Sequence, residues 1–406
     1  MRILIVTQYF WPEAFRINEF AVDLKERGHN VTVLTGLPNY PTGRFFNGYG
    51  LTGPYTETHA GIPVLRCPLI PRFDSRPWQL ALNYVSFAVN SCLLAPFRCR
   101  GIFDLIFVYA PSPIMIALPA IVLKRLKGTP LFLWVQDLWP ESLEATGAIR
   151  APWILKLTGR VVRFIYSKCD RILVQSEAFI PQVRSLGGRP EQMVYFPNSA
   201  EKVYRPVDSD NASTPTLPAG FRVMFAGNIG VAQAFETILS AAERLKLHRD
   251  IQWIILGDGR QRNWVEAEVR RRELGATVHL LGRFPMEKMP DFFSQADAML
   301  VTLQKEPIFA MTVPAKVQSY MACGRPVIAA LDGEGARVVQ HSGAGLTCPA
   351  EDPAALAETV LKAARMPESD RNAMGMQGYL YFKQNFENTR LLDQFDQLAQ
   401  QALNGN

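Results

Sequence analysis

The sequence predicts an α/β protein built from two successive doubly wound domains. Three observations carry this reading. Short runs of Val, Ile, Leu and Phe alternate with helical patterns from the N-terminus onward, as in parallel strands joined by crossover helices. The alternation breaks at the polar, Pro- and Ser-rich stretch 206–219 (PVDSDNASTPTLPA) and then restarts. A length of 406 residues suits two domains.

In the first half, residues 2–7 read as a buried strand, 17–27 as a helix stopped by Gly28, and 31–35 as the next strand. Further strands are expected at 105–109, 131–135, 171–175 and 193–196. Beyond the linker they recur at 222–226, 251–257, 278–282, 298–302 and 327–331, and three helical patterns follow Asp352. Ligands of such sheets bind beyond the carboxyl ends of the strands, so a cleft between the domains is expected. No repeat at solenoid spacing is present.

Composition narrows the class. Hydrophobic residues make up 48% and charged residues 20%, which excludes a disordered chain, a collagen and a disulfide-stapled miniprotein. The formal charge of +6 is uneven: residues 1–205 carry a net +9 and residues 206–406 a net −3. A basic half suits an anionic partner, whether phosphate, nucleic acid or membrane, or is a merely solvated surface. The six cysteines form no Cys-x-x-Cys pair and the five histidines no His-x-x-x-His, so neither zinc nor a disulfide framework is expected. The opening MRILIVTQYF is too short an apolar run for a signal peptide, and a reducing cytosol fits.

Residues 78–97 (WQLALNYVSFAVNSCLLAPF) contain no charge, with Arg76 before them and Arg98 and Arg100 after. The length approaches a membrane span. Gln79, Asn83, Ser86 and Asn90 fall on one helix face, and Pro96 is expected to break the end. An interfacial amphipathic helix fits this pattern; a helix packed on the sheet with its polar stripe outward, or a true span, are the alternatives. Between Ala145 and Arg171 six basic residues (Arg150, Lys156, Arg160, Arg163, Lys168, Arg171) interleave with Trp153, Leu157 and Phe164, which suits anionic headgroups.

Phosphate chemistry is written most clearly in 312–329 (TVPAKVQSYMACGRPVIA). Pro314 fits the first turn of a helix and Gly324 its C-terminal cap. Lys316 would sit in the first turn, where a cation opposes the helix dipole unless an anion lies between them; a diphosphate would satisfy both Lys316 and the free amides. A solvated lysine is the bland alternative. FAGNIGVAQAF (225–235) follows a strand and opens a helix, with Gly227 and Gly230 allowing close backbone approach; it is not Gly-x-Gly-x-x-Gly. Two other strand exits are candidates: 8–18, with Arg16 near a helix start and able to reach a phosphate, and 135–142 (VQDLWPES). In the latter Asp137 is a candidate base or a turn residue. Asp208-Ser209-Asp210 resembles a metal-binding Asp-x-Asp but lies in the linker and reads as solvated.

QYFWPE with RINEFAVDLKERGHNVTVLTGLPNYPTG, DLWPES, GNIGVAQ and VPAKVQSYMACGRPVI together resemble the family 4 retaining-type glycosyltransferases of the GT-B fold. The likeness is strongest to the O-antigen and capsule branch that includes an N-acetyl-L-fucosamine transferase. It implies two Rossmann-like domains facing across a cleft: an acceptor domain, 1–205, and a donor domain, 220–385, with a last helix near 386–403 returning to the first. It further implies that Lys316, beside Pro314, binds the donor diphosphate. Gly227, Asn228, Gly230 and Gln233 would form the glycine loop; Asp137 would stand near the sugar; Arg283 would lie where the base is held. Two departures stand out. Met311 and Ser319 occupy the places of the paired Glu of the family, and Asn228 and Gln233 those of its Arg and Lys. The loss raises the weight on Lys316 and Arg16, and Glu306 is a candidate replacement contact to the donor sugar.

The expected function is therefore transfer of a sugar from a UDP-linked donor, without metal or cofactor, to a polyprenyl-diphosphate-linked sugar. The enzyme would be cytoplasmic, on the inner-membrane surface, and would bind no nucleic acid. A nucleotide-sugar epimerase or phosphorylase of the same fold and a non-catalytic bilobal sugar-binding protein are the rivals.

Overall fold

The computed structural model describes residues 1–74, 76–145, 151–208 and 214–404. The chain divides into two compact units: Met1–Phe196 with Leu392–Asn406, and Pro197–Leu391.

The first unit is an eight-stranded sheet: β1 (Arg2–Val6), β2 (Asn30–Gly36), β3 (Thr56–His59), β4 (Ile62–Cys67), β5 (Leu105–Ala110), β6 (Leu131–Val135), β7 (Arg171–Val174) and β8 (Met193–Tyr195). Their spatial order is β3-β4-β2-β1-β5-β6-β7-β8. Every pairing is parallel except β3 with β4. All residues of β5 and β6 are buried, which is why they read as unbroken apolar runs. The β3–β4 hairpin turns through Ala60 and Gly61, both at positive φ. No strand is expected there from the sequence, because Thr, Glu and His fill β3 and Arg66 sits in β4. Arg66 is nonetheless fully buried, paired to Glu57 and donating to the Gly36 carbonyl at 2.8 Å.

The last helix, Asn388–Asn404, belongs to this unit from Leu392 onward. Phe395 is fully buried, with its ring 5.5 Å from Phe20, 5.1 Å from Phe107 and 6.4 Å from Phe132. Burial of such a ring is worth roughly 1.5–3 kcal/mol. Arg27 donates to Asp393 at 2.6 Å, and His29 meets Asp396 at 2.8 Å.

The helix Pro77–Arg98 is long and apolar enough to cross a membrane by length and composition. Its polar stripe faces inward, opposite to the packed alternative drawn from the sequence. Asn83 is fully buried, accepting from Gln8 Nε2 at 2.7 Å and donating to the Ile70 carbonyl at 2.6 Å. Ser86 accepts the Ile70 amide, and Asn90 donates to the Pro68 carbonyl. The outer face carries Trp78, Leu82, Val85, Val89, Leu93 and Phe97, all exposed. Pro96 does not end the helix, which runs on to Arg98. A proline in a final turn forfeits only its own amide bond, and the Cys99 amide still reaches the Ala95 carbonyl at 2.8 Å. In the helix Pro152–Lys168, Val162, Ile165 and Tyr166 point inward, while Trp153, Leu157 and Phe164 are exposed among Lys156, Arg160, Arg163 and Lys168. Arg150 lies outside the described residues.

The second unit is a six-stranded parallel sheet of order β11-β10-β9-β12-β13-β14. Its strands are β9 (Phe221–Ala226), β10 (Ile251–Leu256), β11 (Val278–Gly282), β12 (Ala298–Thr302), β13 (Val327–Ala330) and β14 (Gly345–Cys348). Successive residues serve opposite faces. Val223 and Phe225 join one core layer with Trp253 and Ile255, while Met224 and Ala226 join the other with Ile254 and Leu256. The second layer also takes in Ala200 and Leu217, and Tyr204 stacks on Phe293 at 5.8 Å. Residues before 206 and at the end of the 206–219 stretch therefore pack on this unit, so its boundary falls at Pro197 rather than at 206. Ser209 and Asp210 of the Asp-x-Asp sequence lie outside the described residues.

Candidate functional site

In the second unit the strand order reverses between β9 and β12, so the loops leaving these strands flank a switch point, the usual ligand position in an open α/β sheet. Three backbone segments meet there, and glycine makes the meeting possible. Gly257 (φ +134°) has no room for a Cβ, which would lie 1.8 Å from the Gly227 carbonyl oxygen. At Gly227 (φ +143°) a Cβ would stand 2.7 Å from Lys316 Cε. The bare backbone at Gly227 is thus the channel through which the Lys316 side chain passes.

Lys316 is the second residue of the helix Ala315–Ala322. Pro314 is the residue that caps this helix rather than part of its first turn, with extended ψ of 136°. Gly324, at φ +67°, follows its C-terminal end. Lys316 Nζ donates to Gln233 Oε1 at 2.6 Å and lies 4.9 Å from the Phe225 ring centroid. Neither partner is anionic. Burial pushes the ammonium down to about 8 from its usual 10.5. The loop 227–234 is held from below, where Thr302 Oγ1 donates to the Gln233 carbonyl at 2.6 Å and the Gln304 amide to Ala232 at 3.0 Å. The structure therefore joins Gly227, Gln233 and Lys316 directly. Asn228 lies alongside: its side chain occupies the space a Cβ would need at Gly230 and Gly259. Arg283 is exposed immediately after β11, and Glu306 is exposed at the start of the short helix Pro307–Ala310; among the described residues Lys316 hydrogen-bonds Gln233 and neither of these. Ser319 spends its hydroxyl on the Ala315 carbonyl within its own helix at 3.1 Å.

In the first unit the reversal falls between β1 and β5. Arg16 opens the helix Arg16–Glu26 just beyond β1. Asp137 follows β6 and accepts a hydrogen bond from Ser142 Oγ. Burial pushes its carboxyl up to about 6, opposed by the hydrogen bonds from Ser142 and Trp139. A carboxyl poised there can exchange a proton near neutral pH. It borders an apolar cavity of 680 Å³.

Glu13, inside QYFWPE, was not among the sequence candidates. It is 1% exposed, and its Oε1 accepts the amides of Asn39 at 2.8 Å and Tyr40 at 2.7 Å. Burial pushes it up to about 7. The one signal available was an acid directly after Trp-Pro in a largely apolar loop.

Residues 14–199 match the family model described as Glycosyl transferase 4-like domain, and residues 220–365 that described as Glycosyl transferases group 1. The chain is 29% identical over 291 residues to the probable glycosyltransferase WbjE of Pseudomonas aeruginosa, covering 70% of this chain and 71% of that one. It is 25% identical over 342 residues to the putative colanic acid biosynthesis glycosyl transferase WcaI of Escherichia coli K12, covering 80% and 82%. Among solved structures, sucrose-phosphate synthase from Thermosynechococcus elongatus superposes with a TM-score of 0.72 at 17% identity, covering all of both chains. Anabaena HepE in complex with UDP and glucose does so at 0.65 and 16%, covering 98% of this chain and 99% of that one. The chain is thus similar over residues 14–199 to the Glycosyl transferase 4-like domain and over 220–365 to the Glycosyl transferases group 1 domain, and it has the fold of the GT-B glycosyltransferases.

Proposed function

We propose that the protein transfers a sugar from a UDP-linked donor to a polyprenyl-diphosphate-linked sugar during assembly of a surface polysaccharide. The observation that carries this reading is the half-buried, largely desolvated Lys316 ammonium, whose partners among the described residues are Gln233 and the Phe225 ring. A buried cation without a counter-charge is costly. A diphosphate at the helix N-terminus supplies that charge and accepts the free amides. In the reaction the bond from the sugar anomeric carbon to the diphosphate oxygen breaks. The acceptor hydroxyl oxygen bonds to that carbon, and its proton passes to Asp137. Charge accumulating on the departing diphosphate is stabilised by Lys316 and the helix amides, with no metal required.

Three further points support the reading. The Escherichia coli relative is named for colanic acid biosynthesis, and the Anabaena structure holds UDP. The outward apolar face of Pro77–Arg98 and the cations of Pro152–Lys168 suit the cytoplasmic surface of an anionic inner membrane. The test is a panel of UDP-sugars, with UDP-N-acetyl-L-fucosamine included, offered with a lipid-diphosphate-linked GlcNAc acceptor. Transfer to the lipid is the expected result. Epimerisation or phosphorolysis of the nucleotide sugar without transfer would replace this reading with that of another enzyme, and binding without turnover with that of a sugar-binding protein.

A further inference from the structure

The 680 Å³ cavity beside Asp137 lies between two helices that expose apolar side chains, the first as a continuous face and the second among cations. One wall comes from Pro77–Arg98, through Leu80 and Tyr84; the other from Pro152–Lys168, through Leu157 and Val161. Ile114 is among the residues beyond β5 that complete the lining. Val85 and Leu157 line the cavity and are 48% and 50% exposed, so it opens to solvent between the helices. The volume falls within the range of small-molecule sites, about 300–1,000 Å³. A slot with such walls takes hydrocarbon.

A cation stands beside the same wall. The Arg72 guanidinium lies 6.0 Å from the ring of Tyr84, 5.0 Å from Tyr40 and 6.0 Å from Tyr9. Its Nε is buried and has no hydrogen-bond partner among the described residues. Three aromatic rings thus hold the guanidinium in place without consuming its donors. A planar guanidinium with unspent N–H groups suits a phosphate group. Exposed Arg76 precedes the lining residue Pro77 in sequence, and exposed Lys156 precedes Leu157, so the two helices that wall the cavity also carry positive charge. The ligand that complements a hydrocarbon slot and an adjacent unsatisfied guanidinium is an amphiphile with one apolar chain and a compact anionic head.

We propose that this cavity holds the first isoprene units of a prenyl diphosphate, with Arg72 on its diphosphate. The proposal rests on the lipid-diphosphate acceptor reading above and gives that acceptor a binding site within the first unit.

The test is calorimetric binding to the full-length protein, using farnesyl diphosphate, farnesol, inorganic diphosphate and palmitate as probes. Farnesyl diphosphate should bind at least tenfold more tightly than farnesol or diphosphate alone. Val161→Trp, which fills the slot, should weaken farnesyl diphosphate and farnesol at least tenfold and leave inorganic diphosphate unchanged. Arg72→Met should weaken farnesyl diphosphate about tenfold and leave farnesol unchanged. An unchanged thermal unfolding midpoint and circular dichroism spectrum in both variants report correct folding of the first unit; should Val161→Trp fail that control, Leu80→Trp narrows the slot from the opposite helix. Equal binding of palmitate and farnesyl diphosphate would overturn the assignment, and so would farnesyl diphosphate affinity indifferent to all three substitutions. Transfer to a lipid-diphosphate acceptor with an unchanged KM in the cavity variants would sink this site and leave the transferase reading intact. Tight cavity-dependent binding in a protein that transfers nothing would do the reverse.

Discussion

Replacement of Lys316 by Met isolates the contribution of one charge. Methionine keeps the length and the apolar stem that threads past Gly227, and removes only the ammonium. A hydrogen bond to a charged group is worth about 1.5–3 kcal/mol, so UDP should bind roughly 10–150-fold more weakly. The structure supplies a second signature. Burial lowers the free ammonium from 10.5 to about 8, a penalty on the charged form of about 3 kcal/mol. Below pH 8 the lysine is charged in both the folded and unfolded chain, so this penalty is present at pH 7 and is relieved as pH rises from about 8 to 10.5. Lys316→Met should therefore fold at least as stably as the parent at pH 7. In the parent, UDP affinity should fall by up to tenfold per pH unit above 8, because binding then requires uptake of a proton. In the variant that slope should vanish. Titration calorimetry with UDP at pH 7, 8 and 9, alongside thermal unfolding, measures all three effects. An unchanged Kd at pH 7, or the same pH slope in both proteins, would remove Lys316 from the diphosphate site.

Further outcomes follow from two carboxyl groups of the first unit, Asp137 and Glu13. Asp137→Asn should lower kcat by about 10²–10⁴ while leaving UDP affinity unchanged, and the parent kcat should rise with pH through about 6 as Asp137 loses its proton. Removal of the Ser142 hydroxyl, which stabilises the carboxylate, should move that rise to higher pH. Glu13, raised from 4.5 to about 7, favours the protonated folded state; its contribution is full below pH 4.5 and is lost as pH climbs through 7, about 3 kcal/mol in all. Urea titrations at pH 5 and 8 should show that loss in the parent. Glu13→Gln, which keeps an acceptor for the Asn39 and Tyr40 amides, should flatten it.

Much of the fold was legible because a strand buried on both faces cannot hide its composition. β5 and β6 are apolar throughout, β10 and β12 are apolar but for Gln252 and Thr302, and all four fall where the sequence puts them. The β3–β4 hairpin escaped because Thr, Glu and His fill β3 and β4 carries Arg66, whose pairing with Glu57 an apolar-run criterion cannot register. β14 escaped because Gly345–Cys348 is too short and contains Gly and Thr. In the donor unit, Lys316 with its proline and its glycine loop could be read directly, since spacing along one helix and one turn decides it. Glu13, Arg72 and the cavity beside Asp137 could not. Each depends on side chains distant in sequence: Glu13 on Asn39 and Tyr40, Arg72 on Tyr9 and Tyr84, the cavity on helices separated by more than one strand. The polar stripe of 78–97 was recognised as one face, but its direction depended on partners at Gln8, Pro68 and Ile70.

The last helix gives the chain an order of assembly. Phe395 fills the space among Phe20, Phe107 and Phe132, so the first unit lacks part of its core until Phe395 has been made. The second unit, continuous from Pro197 to Leu391, carries no such debt. At synthesis rates of about 5–20 residues per second, the aromatic gap in the N-terminal half stays open for on the order of 10–40 s after its last strand is made. The half translated first is therefore completed only after the whole second unit has been made.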